Sequence, residues 1–236
     1  MKRAAIIIPA YNESENIRDV VSSIHEISCA YELVPIVVND CSLDNTGDII
    51  DELDCVALQL SINLGIGGAV QTGYKYAFNN GFDFAIQFDG DGQHPAESIP
   101  NLIESCESGN DVVIGSRYIS KEGFQSTYLR RLGINYFKIL NKILIKLTIT
   151  DNTSGFRLLN RKALSLVNDY YPDDYPEPEA VVLYAKSGLK VVEIPVLMKE
   201  RTGGVSSISA SDSVYYIIKV TLAIVFTYFR TKNNNA

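Results

Sequence analysis

Apolar and polar positions fall in alternating blocks along the first half of the chain. Residues 4–9, 33–39, 56–60, 82–88 and 111–115 are short runs with apolar side chains on both faces, the pattern of strands covered on each side. Between them the period changes. Over 15–27, Ile17, Val20, Val21 and Ile24 recur at helical spacing, and Ser14 is placed to cap the start. A short helix is expected over 47–53. The Gly-rich stretch 63–68 leads into a helix reaching Asn80, and another helix spans 96–107. Strands alternating with helices at these lengths predict an α/β fold, with a mostly parallel central sheet flanked by helices.

The second half predicts a different order. A helix spans 128–147, with Arg130 and Arg131 in its first turn. After 151–157 come a helix, the acidic segment Tyr175-Pro176-Glu177-Pro178-Glu179, a second helix, and a strand at 190–196. The apolar, aromatic stretch 213–229 is shorter than the roughly 20 residues of a membrane-spanning helix. It reads as a C-terminal amphipathic helical extension, lying on a membrane or against a partner subunit in a homo-oligomer. Tyr215, Tyr216, Lys219, Tyr228, Arg230 and Lys232 suit a headgroup boundary. Packing on its own domain is the alternative. The expected division is a domain over 1–210 with halves 1–115 and 116–210, the helix at 211–230, and a disordered tail at 231–236.

In open α/β sheets, ligands bind beyond the carboxyl ends of the strands. Three polar clusters fall at such ends: 11–13, 40–44 and 89–93. The last contains Asp89-Gly90-Asp91, two carboxylates one residue apart after an apolar strand. Such pairs hold Mg²⁺ or Mn²⁺ through oxygen, with substrate phosphates completing the shell, and Gly90 lets a bulky ligand approach the backbone. An ordinary polar turn would also use Asp and Gly. What separates the readings is the convergence of all three clusters on one edge.

Composition narrows the partners. The net charge of −7 argues against a nucleic-acid binder, but the charge is uneven. Residues 1–114 carry 4 basic and 18 acidic side chains, and 115–236 carry 17 basic and 10 acidic. A basic second half fits a diphosphate, a lipid phosphate or a membrane surface. Four scattered cysteines and two histidines lack zinc spacing and read as reduced thiols of a cytoplasmic protein. The opening Met1-Lys2-Arg3 and its short apolar run do not form a signal peptide.

Several motifs occur in a fixed order: Pro-Ala-Tyr-Asn-Glu at 9–13, Asn-Asp-Cys-Ser-Leu-Asp-Asn-Thr at 39–46, Asn-Leu-Gly-Ile-Gly-Gly-Ala at 63–69 and Asp-Gly-Asp at 89–91. Gly-Ser-Arg at 115–117, Asp-Asn-Thr-Ser-Gly-Phe-Arg at 151–157, Glu-Ile-Pro-Val at 193–196 and Arg-Thr-Gly-Gly-Val-Ser at 201–206 extend the series. Together they resemble the family 2 nucleotide-sugar glycosyltransferases of the GT-A (Rossmann-like) fold. The resemblance is greatest to the polyprenol-phosphate hexosyltransferases of the dolichol-phosphate mannosyltransferase type.

That resemblance implies an inverting, metal-dependent transfer of a hexose from a UDP- or GDP-linked sugar to a polyprenol phosphate, on the inner face of a membrane. Transfer to a hydroxyl of a lipid-linked or cell-envelope glycan is the alternative. A nucleotidyltransferase would need a basic, Gly-rich signature that residues 5–15 lack. By resemblance, Pro9, Ala10, Tyr11 and Glu13 line the base and ribose pocket, with Val38 and Asp40 beside them. Asp89, Gly90 and Asp91 meet the diphosphate, and Asp89, Asp91 and Gln93 meet Mg²⁺ or Mn²⁺. Arg117, Arg131 and Arg201 are candidate cations for donor or acceptor phosphate. Glu179, slightly favoured over Glu177, is the candidate base for a hydroxyl acceptor; helix capping is its bland alternative. Cys41 stands where the family usually carries Gly, and the expectation is a backbone that tolerates a side chain. Ser207-Ile208 departs from the basic residue that mannosyltransferases often carry there.

Overall fold

The computed structural model describes residues 1–120, 128–199 and 212–231; side chains at 128–130, 132 and 212–214 lie outside that description. The chain runs β1 (Arg3–Ala10), α1 (Ile17–His25), β2 (Glu32–Asn39), α2 (Thr46–Asp51), β3 (Val56–Gln59), α3 (Gly65–Asn79) and β4 (Phe84–Gln87). It continues with α4 (Ile99–Glu107), β5 (Val112–Ser116), α5 (Tyr128–Ile145), β6 (Arg157–Asn160), α6 (Arg161–Asp169), α7 (Pro176–Lys186), β7 (Val191–Pro195) and α8 (Asp212–Arg230). Seven strands form one sheet in the order β3-β2-β1-β4-β6-β5-β7.

β1 lies parallel to β2 and β4, with Ala10 opposite Asn39 and Ile7 opposite Gln87. This register brings the carboxyl ends of the three strands to one edge. Both faces are covered, which explains the uninterrupted apolar runs. Ile6 and Ile8 pack towards α1 and α4, while Ile7 packs towards α3 with Val70 and Tyr74.

One strand escaped the sequence reading. β6 is antiparallel to both β4 and β5, where a helix was expected to follow residue 157 directly. It has four residues, and Asn160 at its end caps α6 by accepting a hydrogen bond from Ala163 N at 3.0 Å. Only Leu158 and Leu159 are apolar, so the strand is defined by its two neighbours rather than by its own pattern. α5 stops two residues before its expected end, and Lys146 follows at φ +58°, a left-handed turn that ends the helix.

α8 is where the C-terminal helix was expected. Its Val220 and Ile224 bury against Phe137 of α5 and Val182 of α7, so it does pack on its own domain. Tyr215, Ile218, Leu222, Phe226 and Phe229 nevertheless stay exposed, at the 3- and 4-residue spacing of one helix face. Tyr136, Ile139 and Ile143 of the neighbouring α5 are also exposed. No helix among the described residues is long and apolar enough to cross a membrane.

Candidate active site

A cleft of about 940 Å³ opens at the carboxyl ends of β1, β2 and β4. Pro9, Ala10, Tyr11, Glu13, Asp40, Asp89, Gly90 and Asp91 line it, with Gly65 and Ile66 at the start of α3 and Asp173, Asp174 and Tyr175 opposite. The three polar clusters therefore do meet. Val38 does not join them: its side chain is fully buried in the core against α3, because both faces of the sheet are covered at that position.

The loop after β1 is laced to the loop after β2. Asn12 N donates to Ser42 Oγ at 3.0 Å, Glu13 N to Thr46 Oγ1 at 2.9 Å, and Leu43 N to Asn12 Oδ1 at 2.8 Å. Asp44 accepts from Ser14 N and Thr46; burial pushes its carboxyl up, but these hydrogen bonds outweigh that and hold it below the ordinary value. Glu13 also starts α1, its carbonyl accepting from Ile17 N at 2.9 Å. Asp40 is buried, and its Oδ1 accepts from Leu64 N at 2.6 Å, which fixes the Gly-rich entry to α3. Tyr11, 45% exposed, lines the cleft. Cys41 sits at φ +58°, so the expectation of a tolerant backbone is corrected: this is the left-handed region that glycine favours.

Asp89 is held from below. Its N–H donates to His94 Nδ1 at 2.9 Å, which leaves the ring proton on Nε2, 3.4 Å from Asp89 Oδ2. His94 is buried and stacks on Phe156 with ring centroids 4.9 Å apart. Gln87 Nε2 donates to Asp89 Oδ1 at 3.2 Å. Asp91 Oδ1 accepts from Gln93 N at 3.1 Å, while the Gln93 amide nitrogen lies 3.5 Å from Lys199 O. Gln93 is absent from the cleft lining, and its side chain is turned towards the segment after β7.

Whether Asp89 and Asp91 suit a divalent ion can be tested on the surrounding backbone. A Cβ on Gly155 would fall 2.9 Å from both Asp89 carboxylate oxygens, and one on Gly90 would fall 3.2 Å from Pro9 O. Glycine lets the 151–157 loop pack directly on the Asp89 carboxylate and lets the turn at 90 approach the end of β1. Among the described residues no group of three or more His, Cys, Asp or Glu side chains could hold an ion by itself. Two acids plus substrate phosphate oxygens is the arrangement that fits Mg²⁺ or Mn²⁺.

Arg117, at the end of β5, is not the free cation expected. It is 8% exposed, donating Nε to Asp151 Oδ2 at 2.7 Å and Nη2 to Asp151 Oδ1 at 2.8 Å. Burial lowers its pKa but Asp151 more than offsets this, so the guanidinium stays charged, near enough to Asp89 to feel its charge. Glu193 of β7 fixes the same loop by accepting from Thr150 N and Asp151 N at 2.6 and 2.7 Å. Arg157 is fully buried and donates to Ser154 O and Glu177 O.

Glu179, the expected base, lies outside the cleft at the strand ends. Its carboxylate is buried away from the cleft, accepting from Tyr170 Oη at 3.0 Å and from Thr227 Oγ1 of α8 at 2.5 Å. It lines a separate cavity of about 450 Å³ with Lys219 and Arg230. Burial pushes the Glu177 carboxyl up and the Arg157 charge pulls it down, while the charge of Asp89 raises it. Arg131 is exposed on α5, and Arg201 lies outside the described residues. Sequence reasoning passed over His94, Gly155 and Arg157. The signals present were the proximity of His94 to the paired acids and the place of Gly155 and Arg157 in the 151–157 motif.

The sequence model of "Glycosyl transferase family 2" matches residues 5–167. The chain belongs to glycosyl transferase family 2. Its membership is consistent with a polyprenol monophosphomannose synthase of Mycolicibacterium smegmatis, 29% identical over 93% of this chain and 86% of that protein. A UDP-N-acetylglucosamine–dolichyl-phosphate N-acetylglucosaminyltransferase of Methanococcus voltae is 31% identical over 81% and 83%. Among solved structures, glucosyl-3-phosphoglycerate synthase from Mycobacterium tuberculosis, in complex with Mn²⁺, UDP and glucosyl-3-phosphoglycerate, superimposes with a TM-score of 0.70. It shares 15% identity over 96% of this chain and 79% of that one, a likeness of fold. This family 2 glycosyltransferase thus has the expected GT-A fold, a mostly parallel sheet with helices on both faces.

Proposed function

We propose that this glycosyltransferase moves a hexose, with inversion, from a UDP- or GDP-linked sugar to a polyprenol phosphate, working peripherally at the inner face of a membrane. The observation that carries the reading is the cleft at the ends of β1, β2 and β4, lined by Asp89 and Asp91 together with Pro9, Tyr11, Glu13 and Asp40. Pro9, Ala10, Tyr11, Glu13 and Asp40 would hold the nucleotide, with Tyr11 stacking on the base. Asp89 and Asp91 would hold Mg²⁺ or Mn²⁺, with Gln93 contributing only if its amide turns back from Lys199. When bound, the ion neutralises charge on the departing nucleoside diphosphate. The chain's own contribution is to fix the two carboxylates and to exclude water around buried His94 and Phe156.

The acceptor reading rests on three supports. The two relatives above are named for polyprenol and dolichyl phosphate products or acceptors. Glu179 is occupied by Tyr170 and Thr227, and an acceptor phosphate, already an anion, requires no base. The exposed apolar faces of α5 and α8 carry aromatic rings, with Lys142, Lys146 and Arg230 also exposed nearby, a composition suited to a headgroup boundary. Residues 1–115 would then serve the donor and 116–210 the acceptor, with Arg131 and Arg201 taking its phosphate. The relatives' names differ in sugar, so the hexose is left to experiment. Thermal-shift screening of UDP- and GDP-sugars with and without Mn²⁺ should give metal-dependent stabilisation by one donor class. A flat response to every donor refutes the reading, and transfer to a soluble sugar hydroxyl but not to a short-chain polyprenyl phosphate favours the alternative acceptor.

A further inference from the structure

The cavity of about 450 Å³ between α7 and α8 is separate from the donor cleft. Tyr170 and Glu179 stand on one wall, and Ala223, Phe226, Thr227 and Arg230 of α8 on the other. Glu179 is 6% exposed, and both hydrogen bonds to its carboxylate, from Tyr170 Oη at 3.0 Å and Thr227 Oγ1 at 2.5 Å, fall on Oε1. Oε2 has no partner among the described residues, although the side chain lines the cavity. A carboxylate withdrawn from water with one oxygen unbonded is costly, and a cation that donates to it best offsets the lost hydration. Arg230 does not supply that cation. Its guanidinium lies over the Tyr170 ring, 3.9 Å from the centroid, and forms no ion pair with a described residue. Lys219 is engaged by Asp174 at 2.6 Å. A free carboxylate oxygen and a free cation therefore stand at the hydroxyl and on the ring of one tyrosine.

The two charges suit a ligand that carries the opposite pair. A phosphate fits the guanidinium fork, and an ammonium can donate to Glu179 Oε2. A phosphoethanolamine group holds both, separated by a short two-carbon link. The position of the cavity sets its source. Phe226 lines it and also belongs to the exposed apolar face that α8 presents with Leu222 and Phe229, so a ligand here is continuous with whatever that face enters. A glycerol headgroup would offer a hydroxyl in place of the ammonium. Acids outnumber bases in the lining, however, with Asp173 and Asp174 beside Glu179 against Lys219 and Arg230, which favours the cation. Choline has no N–H to donate. We propose that the cavity between α7 and α8 is a headgroup site for an ethanolamine phospholipid, its ammonium on Glu179 and its phosphate on Arg230.

This inference rests on the protein working at a membrane surface, and the test separates the two. The full-length protein is floated with vesicles of phosphatidylcholine alone, of equal parts phosphatidylcholine and phosphatidylethanolamine, and of equal parts phosphatidylcholine and phosphatidylglycerol. Wild type, Glu179→Gln and Ala223→Leu are compared, and thermal melting checks folding. Choline and ethanolamine lipids have the same net charge, so their comparison isolates the N–H donors. Wild-type binding should tighten about tenfold when ethanolamine lipid is present, the scale of one charge-assisted hydrogen bond. Glu179→Gln keeps an acceptor for Tyr170 and Thr227, and Ala223→Leu fills the cavity from the other wall. Each should reduce that gain to within about twofold. An undiminished gain in either folded variant makes it a property of the bilayer and overturns the site. A wild-type gain below about twofold, with binding to phosphatidylglycerol vesicles intact, overturns the site and leaves the membrane reading standing. No binding to any vesicle refutes both. Should Glu179→Gln fail to fold, Ala223→Leu decides alone.

Discussion

Replacing Gly155 with alanine puts one methyl group where the structure has no room for it. The added Cβ would lie 2.7 Å from Gln87 Nε2 and 2.9 Å from each Asp89 carboxylate oxygen. Carbon settles at about 3.5 Å from such atoms, so the overlap is roughly half an ångström or more. Either the loop retreats or the two side chains move. The loop is pinned: Ser154 O accepts from Arg157, Phe156 O accepts from Gly115 N at 2.8 Å, and the Phe156 ring stacks on His94. Asp89 and Gln87 are side-chain ends and give way first. The cost to stability should therefore be at the low end for overpacking, about 1 kcal/mol. Function should suffer more, since a 1 Å misplacement costs about 100-fold and half of that about tenfold. The assay is kcat/KM for the sugar donor across a Mn²⁺ titration, alongside urea denaturation. Wild-type kcat/KM in a folded Gly155→Ala protein would refute the crowding argument, and a loss of more than about 3 kcal/mol would show that the loop, not the acid, had yielded.

The two arginines should separate by kind of effect. Arg117→Ala leaves Asp151 buried without its cation and should cost about 3–5 kcal/mol in denaturation, whereas exposed Arg131→Ala should stay within about 0.5 kcal/mol and instead raise the acceptor KM. Phe226→Ser with Phe229→Ser, at positions 70% and 78% exposed, should leave melting unchanged and weaken flotation with anionic liposomes by tenfold or more. Unaltered flotation would remove this face of α8 from the membrane. Cys41→Gly relieves about 1 kcal/mol of left-handed strain but frees the unfolded chain by a similar amount, so it should be near neutral, while Cys41→Val should destabilise. Burial pushes the Asp111 carboxyl up, but Lys190 N–H, Asn160 and Lys162 together hold it below its ordinary 3.8. Its contribution is therefore complete above that pH and lost as pH falls through the lower folded value, and acid denaturation of Asp111→Asn should lack that limb.

The strands that were legible in the sequence are those whose apolar runs record cover on both faces: β1, β2 and β5 are buried over all or most of their length. β6 left no such record. Four residues cannot show a period, and its polar ends Arg157 and Asn160 are spent on Ser154 O and on capping α6. α8 presents the opposite difficulty. Apolar side chains occur all round it, so the sequence could locate the helix but not choose between own-domain packing and an outward face. The fold uses both, with Val220 and Ile224 inward and Phe226 and Phe229 outward.

The candidate site divides along the same line. Tyr11, Glu13, Asp40, Asp89 and Asp91 were readable because a parallel sheet sends its strand ends to one edge, and position along the chain then implies position in space. Residues that act by direction were not readable. Cover on both faces of β2 puts Val38 in the core. Asp151 turned Arg117 from an available cation into half of a buried pair. Helical geometry sends Glu177 and Glu179 in different directions, and Glu179 meets Thr227, 48 residues further along on α8. Gly155 was hidden for a related reason, because its importance lies in the side chain it lacks and in the 2.9 Å that a Cβ would leave to Asp89. The donor pocket is thus specified mainly by local sequence at strand ends, and its acids are held by first-half neighbours, Gln87, His94 and Gln93, with the 151–157 loop packed against Asp89. Exchanging first halves between relatives should therefore carry nucleotide preference across while leaving Asp89 dependent on the fit of Gly155 in the host's 151–157 loop.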